Sequence, residues 1–167
     1  MKKYFLLLIS VLLFSSCITD KPKSAIPDIY ETYKGEEGFV ILKLPPVLFK
    51  VFIKDEEADT KWMKDVDIYK VLLFEESEKS MGIDELKSAL NERIAAEKFE
   101  LLLSVRESDS TISVYFKQEG DFISNVFFLV EDSKKSLISV DISGKMKPES
   151  LMSIANSLDL NEIKSYE

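Results

Sequence analysis

Residues 99–144 read FELLLSVRESDSTISVYFKQEGDFISNVFFLVEDSKKSLISVDISG, and the spacing of apolar side chains in this stretch decides the fold. They recur at every second position in four runs, Phe99 to Arg106, Thr111 to Gln118, Phe122 to Glu131 and Leu137 to Gly144. A period of two is the spacing of a strand, whose successive side chains point to opposite faces. Polar or glycine-bearing turns at Glu107 to Ser110, Glu119 to Asp121 and Asp132 to Ser136 separate the runs, so the stretch predicts an antiparallel meander. In the second run Ile112, Val114 and Phe116 oppose Thr111, Ser113, Tyr115 and Lys117; in the fourth, Ile138, Val140 and Ile142 oppose Ser139, Asp141 and Ser143. That alternation predicts one buried sheet face and one at least partly wet. Val126 to Val130 is apolar at every position and predicts a central strand covered on both sides.

Working outward, Ile83, Leu86, Leu90 and Ile94 form one helical stripe, with Asp84 and Glu85 at its positive end and Arg93 and Lys98 towards the other. Upstream, Ile68 to Phe74 is β-branched and aromatic enough for a central strand. Phe39 to Leu44 is a further strand that Pro45 and Pro46 must end, since proline supplies no ladder donor. Ile26, Ile29, Tyr30 and Tyr33 predict a short opening helix between Pro27 and Gly35. Val47 to Ile53 reads as a helical turn or another strand, and the charged stretch Asp55 to Asp65, with Trp62, as a loop or solvated helix. A last helix follows Pro148, with Leu151, Ile154, Ala155 and Leu158 on one stripe. The expected fold is a two-layer α+β domain, a mostly antiparallel sheet with helices packed on one face.

At the N-terminus, Lys2 and Lys3 precede an eleven-residue apolar run, Tyr4 to Phe14, and Ser15-Ser16 lead into Cys17, the chain's single cysteine. A basic start, a short apolar middle and small residues before a cut are the marks of a secretory signal. A cysteine directly after the cut offers the thiol that lipidating enzymes acylate. Residues 1–16 are therefore expected to be a lipoprotein signal peptide, residues 17–25 a lipidated tether, and residues 26–167 a single α+β domain. The apolar run is shorter than the roughly 20 residues a spanning helix needs, and acyl chains at about 0.8 kcal/mol per buried methylene would anchor the chain without help from the fold.

Charge narrows the partners. The chain carries 22 basic and 30 acidic residues, and losing Lys2 and Lys3 with the leader makes the remainder more acidic still. Nucleic acid and anionic lipid headgroups both call for a basic face, so neither is expected as a ligand of the domain. The sequence has no histidine, which removes the commonest general base and transition-metal ligand, and no cofactor is expected. The acidic clusters Asp55-Glu56-Glu57-Asp59 and Glu75-Glu76-Glu78 lack the alternating acids and central glycine of a calcium loop. Carboxylate pairs such as Asp65 with Asp67 or Glu131 with Asp132 occur readily among so many acids, and no nucleophile elbow marks a serine.

Tyr115, Lys117, Ser139 and Asp141 on the less apolar sheet face form the one polar and aromatic set that lies on predicted strands, and with Trp62 they are the expected binding surface. Glu37-Gly38-Phe39-Val40, Pro45-Pro46-Val47-Leu48-Phe49, Glu100 to Arg106, Gly120 to Val130 and Leu137 to Gly144 followed by a leucine-bearing helix together resemble the lipoprotein family catalogued as domain of unknown function 4252. The resemblance implies an α+β envelope lipoprotein with no established activity and supplies no catalytic residues. The expectation is a non-enzymatic interaction module, lipid-anchored to a bacterial membrane on its periplasmic side or at the cell surface, with the membrane and an envelope protein as partners. Oligomeric state is left open. A carrier of a small apolar ligand and a hydrolase using carboxylates or a Ser/Lys pair are the alternatives.

Overall fold

The computed structural model describes residues 27–49, 61–106, 109–132 and 135–157. Six strands, β1 Phe39–Leu44, β2 Val66–Glu75, β3 Glu100–Arg106, β4 Ser110–Glu119, β5 Phe122–Asp132 and β6 Ser136–Met146, form one antiparallel sheet in the order β1-β2-β6-β5-β4-β3. The four runs of residues 99–144 are the meander β3 to β6, as their period requires. Helices α1 Pro27–Thr32, α2 Pro46–Phe49, α3 Ile83–Ala96 and α4 Ser150–Ser157, with a 3₁₀ helix Lys61–Asp65, complete the described chain. The fold is thus a mainly sheet α+β fold.

Both faces of the sheet are covered, which differs from the expected two layers. On one face α1 and α3 bring Ile29, Tyr30, Leu86, Leu90 and Ile94 against Leu72, Phe74, Phe127, Leu129 and Leu137. On the other, Trp62 and Met63 of the 3₁₀ helix and Ile154 of α4 pack on Tyr69, Val114, Val126, Phe128 and Ile142. Alternation explains this: β5 presents Val126 and Phe128 to one side and Phe127 and Leu129 to the other, and all four are at most 3% exposed. A strand apolar on both faces leaves about 2 kcal/mol per side chain unrealised unless both sides are roofed.

Helix α3 joins β2 to β3, which the chain of antiparallel pairings makes parallel and places four strands apart, so it must cross the sheet. Its Leu86, Leu90 and Ile94 face inward, and Asp84 and Glu85 sit in its first turn. The helix stops at a Schellman arrangement: Lys98 N–H donates to Ala95 C=O at 3.1 Å and Phe99 N–H to Ile94 C=O at 3.1 Å. Phe99 and Ile94 meet in the same core. The stop forces Lys98 to φ 60°, a left-handed conformation that disfavours a side chain. Gly144 of β6 lies so close to Asp65 and Val66 that a Cβ there would overlap their backbone, which fixes glycine where the 3₁₀ helix enters β2. Because Lys98 is exposed and its strain is local, Lys98→Gly is expected to raise stability by about 1 kcal/mol in urea unfolding, with the m-value unchanged.

Candidate functional site

The polar residues of the sheet gather at one place. On the face roofed by α1, the cross-strand row Lys43, Lys70, Asp141, Phe127, Tyr115 runs through β1, β2, β6, β5 and β4. Asp141 is fully buried, with Ser139 and Ser143 two residues away on either side and Asn125 next to Ser143 on β5. Asn125 Nδ2 donates to Asp141 Oδ1 and to Ser143 Oγ, both at 2.9 Å, and Ser143 Oγ donates to Asp141 Oδ2 at 3.3 Å. Fixed donors of this kind are what a carboxylate needs when water is excluded.

Tyr30 closes the cluster from above. Its hydroxyl lies 3.2 Å from Ser139 Oγ and donates to Lys70 C=O at 3.5 Å, while its ring lies 5.6 Å from Lys70 Nζ. The neighbouring Glu31 pairs with Lys43, which faces the same side. These contacts hold α1 onto β1, β2 and β6. Burial pushes the Tyr30 hydroxyl well above its ordinary value, helped by the Asp141 charge and opposed by its Ser139 hydrogen bond. Burial lowers Lys70, and Asp141 works against that shift. On the opposite face, burial alone raises Tyr69.

The expected binding surface is redistributed. Ser139 and Asp141 are buried beneath α1 rather than wet, because their polar atoms are satisfied inside the sheet. Tyr115 shares their face but is separated from Asp141 by Phe127, whose ring is 6.4 Å from its own. Lys117 pairs with Glu97 at 3.0 Å beyond the end of α3. Trp62 is 3% exposed on the other face, edge-on to Tyr69 at 6.4 Å. The structure therefore brings Ser139 and Asp141 together and leaves Tyr115, Lys117 and Trp62 apart from them. Tyr30, placed on the opening helix by its spacing, and Ser143, placed on the wetter sheet face, were not expected at the binding surface, nor were Lys70 and Asn125; the signal for them was a lysine inside the otherwise apolar run of β2 and serines flanking Asp141. Cys17 and the acids at 55–59 lie outside the described residues.

Chemically, the cluster is closed. Ser139 bonds to a tyrosine that resists ionisation, and a substrate would have to displace α1 to reach it. Clefts of about 370 Å³ between α1 and α3 and of about 200 Å³ beside the 3₁₀ helix and α4 lie elsewhere. Phe127 and Leu129, which a carrier would turn towards its ligand, are within the packed core. Glu131 is tied to Lys87 at 3.1 Å and Glu76 to Lys135 at 3.6 Å. Among the described residues no group of three potential metal ligands converges.

What fold and cluster define is an antiparallel α+β domain whose buried polar network fastens an N-terminal helix to a sheet roofed on both faces. The family profile of the domain of unknown function DUF4252 matches residues 33–154, and the chain belongs to that family. No curated protein and no solved structure matches the chain.

The network sets two expectations. Asp141→Ala leaves the Asn125 amide without its acceptor and the buried Lys70 charge without its nearby carboxylate, and should cost about 3 kcal/mol of stability in urea unfolding, with Lys70→Met costing less, since Asp141 then keeps its Asn125 and Ser143 donors. For alkali, Tyr30 and Tyr69 hold their protons more tightly folded than unfolded, so the stability they contribute is complete below 10.0 and is lost as pH rises above it. Lys70 acts oppositely: it sheds its proton more easily in the fold, so its burial penalty fades as pH climbs towards 10.5. Unfolding measured from neutral pH upward should therefore show no loss of stability up to about pH 10 and a steep loss above it, with two tyrosines failing to ionise until the fold is lost, as read by phenolate absorbance.

Proposed function

We propose that this chain is a membrane-anchored envelope lipoprotein whose domain is a non-catalytic interaction module. The observation that carries the reading is the placement of Cys17, the single cysteine, immediately after a basic start, an eleven-residue apolar run and two serines. Among the described residues no helix is long and apolar enough to cross a membrane, so a membrane attachment made by lipid is consistent with the described elements. On this reading the acylated Cys17 and the tether to residue 25 lead directly into α1, which the Tyr30 and Glu31 contacts hold to the sheet. Pull on the lipid then acts on a fastened helix rather than on a loose end.

The non-catalytic part of the reading is supported by where the reactive groups sit. Ser139, Lys70 and Asp141, where a serine, a lysine and a carboxylate come together on the sheet, are packed under α1, with Ser139 beside Tyr30 and Asp141 bonded to Asn125. An interaction module needs a stable surface and an address, and a partner in the envelope would be engaged at the outside of this domain.

The test is metabolic labelling of the full chain with a fatty-acid probe in a bacterial host. Label is expected on the unsubstituted chain and should disappear in Cys17→Ala, which should also accumulate as a slower-processed form that carries its leader. Equal labelling of the two, or an unmodified thiol on Cys17 in native material by mass spectrometry, overturns the lipoprotein assignment.

A further inference from the structure

The two edges of the sheet are treated differently. β3 carries Glu100 and Arg106 at its ends and a register shift between Leu101 and Leu103, and charge with a bulge is how edges resist pairing. β1 pairs with β2 in unbroken register from Phe39 with Phe74 to Leu44 with Tyr69, and its single charge, Lys43, is occupied by Glu31. Beside this edge the apolar surface is open. Val40 is 52% exposed, Leu42 42% and Leu73 36%, and Val47 and Leu48 of α2, which follows β1, are 69% and 49% exposed. Together these side chains leave on the order of 400 Å² of apolar surface, within the range of the largest patch a monomer exposes, which is often a functional one.

The backbone phase on β1 is fixed. Gly38 C=O accepts from Glu75 N–H at 3.0 Å, so by antiparallel alternation Val40, Leu42 and Leu44 turn their backbone groups to β2, and Ile41 and Lys43 turn theirs outward. Phe39 N–H is already bonded to Glu36 C=O at 3.2 Å, leaving its carbonyl.

We propose that β1 pairs antiparallel with β1 of a second copy of this chain, about a two-fold axis at Ile41. Val40 and Leu42 are symmetric about Ile41, so the axis places Val40 of each copy opposite Leu42 of the other, on the same face, at a non-hydrogen-bonded position where side chains approach most closely. The outward groups match as well: Ile41 N–H meets Ile41 C=O in both directions, and Lys43 N–H meets the outward-turned Phe39 C=O. Lys43 stands opposite Phe39 rather than another lysine, so the pairing opposes no like charges. The apolar patch supplies about half of the roughly 800 Å² each partner gives a standard interface, and the strand backbone and its flanks add to it. A closed two-fold of this kind is the commonest oligomer symmetry. The pairing stands independently of the tether, since every group in it lies in the folded domain.

The test uses two differently tagged full chains, one Val40→Cys and the other Leu42→Cys, co-expressed and briefly oxidised in their native membranes. Cys17 is the only other cysteine, and the unsubstituted chain serves as the blank for it. A mixed disulfide severalfold above either self-disulfide, and above Leu101→Cys on β3, is expected. Equal yields at all positions, no mixed disulfide, or a disulfide to a different envelope protein overturns the proposal. Sedimentation of the unsubstituted full chain in detergent gives a second reading that no substitution can disturb: a dimer is expected, and a strict monomer overturns the pairing.

Discussion

Asp141 is buried at the centre of the sheet with Lys70 beside it, and a charge in that position must be met by donors that cannot move. Asn125 and Ser143 meet it from β5 and β6, and their reach depends on the register of those strands. A slip of one residue would turn Asp141 to the opposite face, against Phe128 and Val126, where nothing answers a carboxylate. The network therefore specifies register as well as adding stability. It also fixes α1, because Tyr30 finds its partners Ser139 and Lys70 only in that register. A six-residue helix has no stability of its own, so α1 exists because the sheet holds it.

This arrangement shows which parts of the fold local pattern could reveal. The meander was legible because period two persists through forty residues, and α3 because its apolar stripe, acidic first turn and basic last turn agree with one another. The layering was not. Ser139, Asp141 and Ser143 alternate with Ile138, Val140 and Ile142 exactly as a wet face would, yet small hydroxyls and a paired carboxylate can be buried when they bond among themselves. The contrary signal was Val126 to Val130, apolar on both sides, which cannot lie in a sheet with one face in water. Nothing in the periodicity of α1, α4 or the 3₁₀ helix says which face each will take, since that depends on which side of the sheet the chain leaves β6 and enters β2.

Trp62 illustrates the same limit. Flanked by lysines and acids, it reads as part of a solvated segment, but Lys61 and Lys64 point away while Trp62 and Met63 roof the sheet. A single helical turn can divide a charged stretch in this way, and no apolar period is long enough there to announce it. Its indole N–H has no hydrogen-bond partner among the described residues, and the ring packs in one cluster with Tyr69 and Ile142.

The distribution of charge then separates structure from contact surface. A chain of net charge −8 repels its own copies unless they meet where charge is absent or paired. The face of β1 and β2 formed by Val40, Leu42, Leu44, Tyr69, Val71 and Leu73 carries none, and Lys43 beneath it is neutralised by Glu31. Elsewhere acids at turns and strand ends are tied to lysines, Glu131 to Lys87, Glu97 to Lys117 and Glu76 to Lys135. A charged surface and association through one edge whose single charge is paired are thus compatible in the same domain, and the Tyr30 and Glu31 contacts with Ser139, Lys70 and Lys43 are the ones that hold α1 beside that edge.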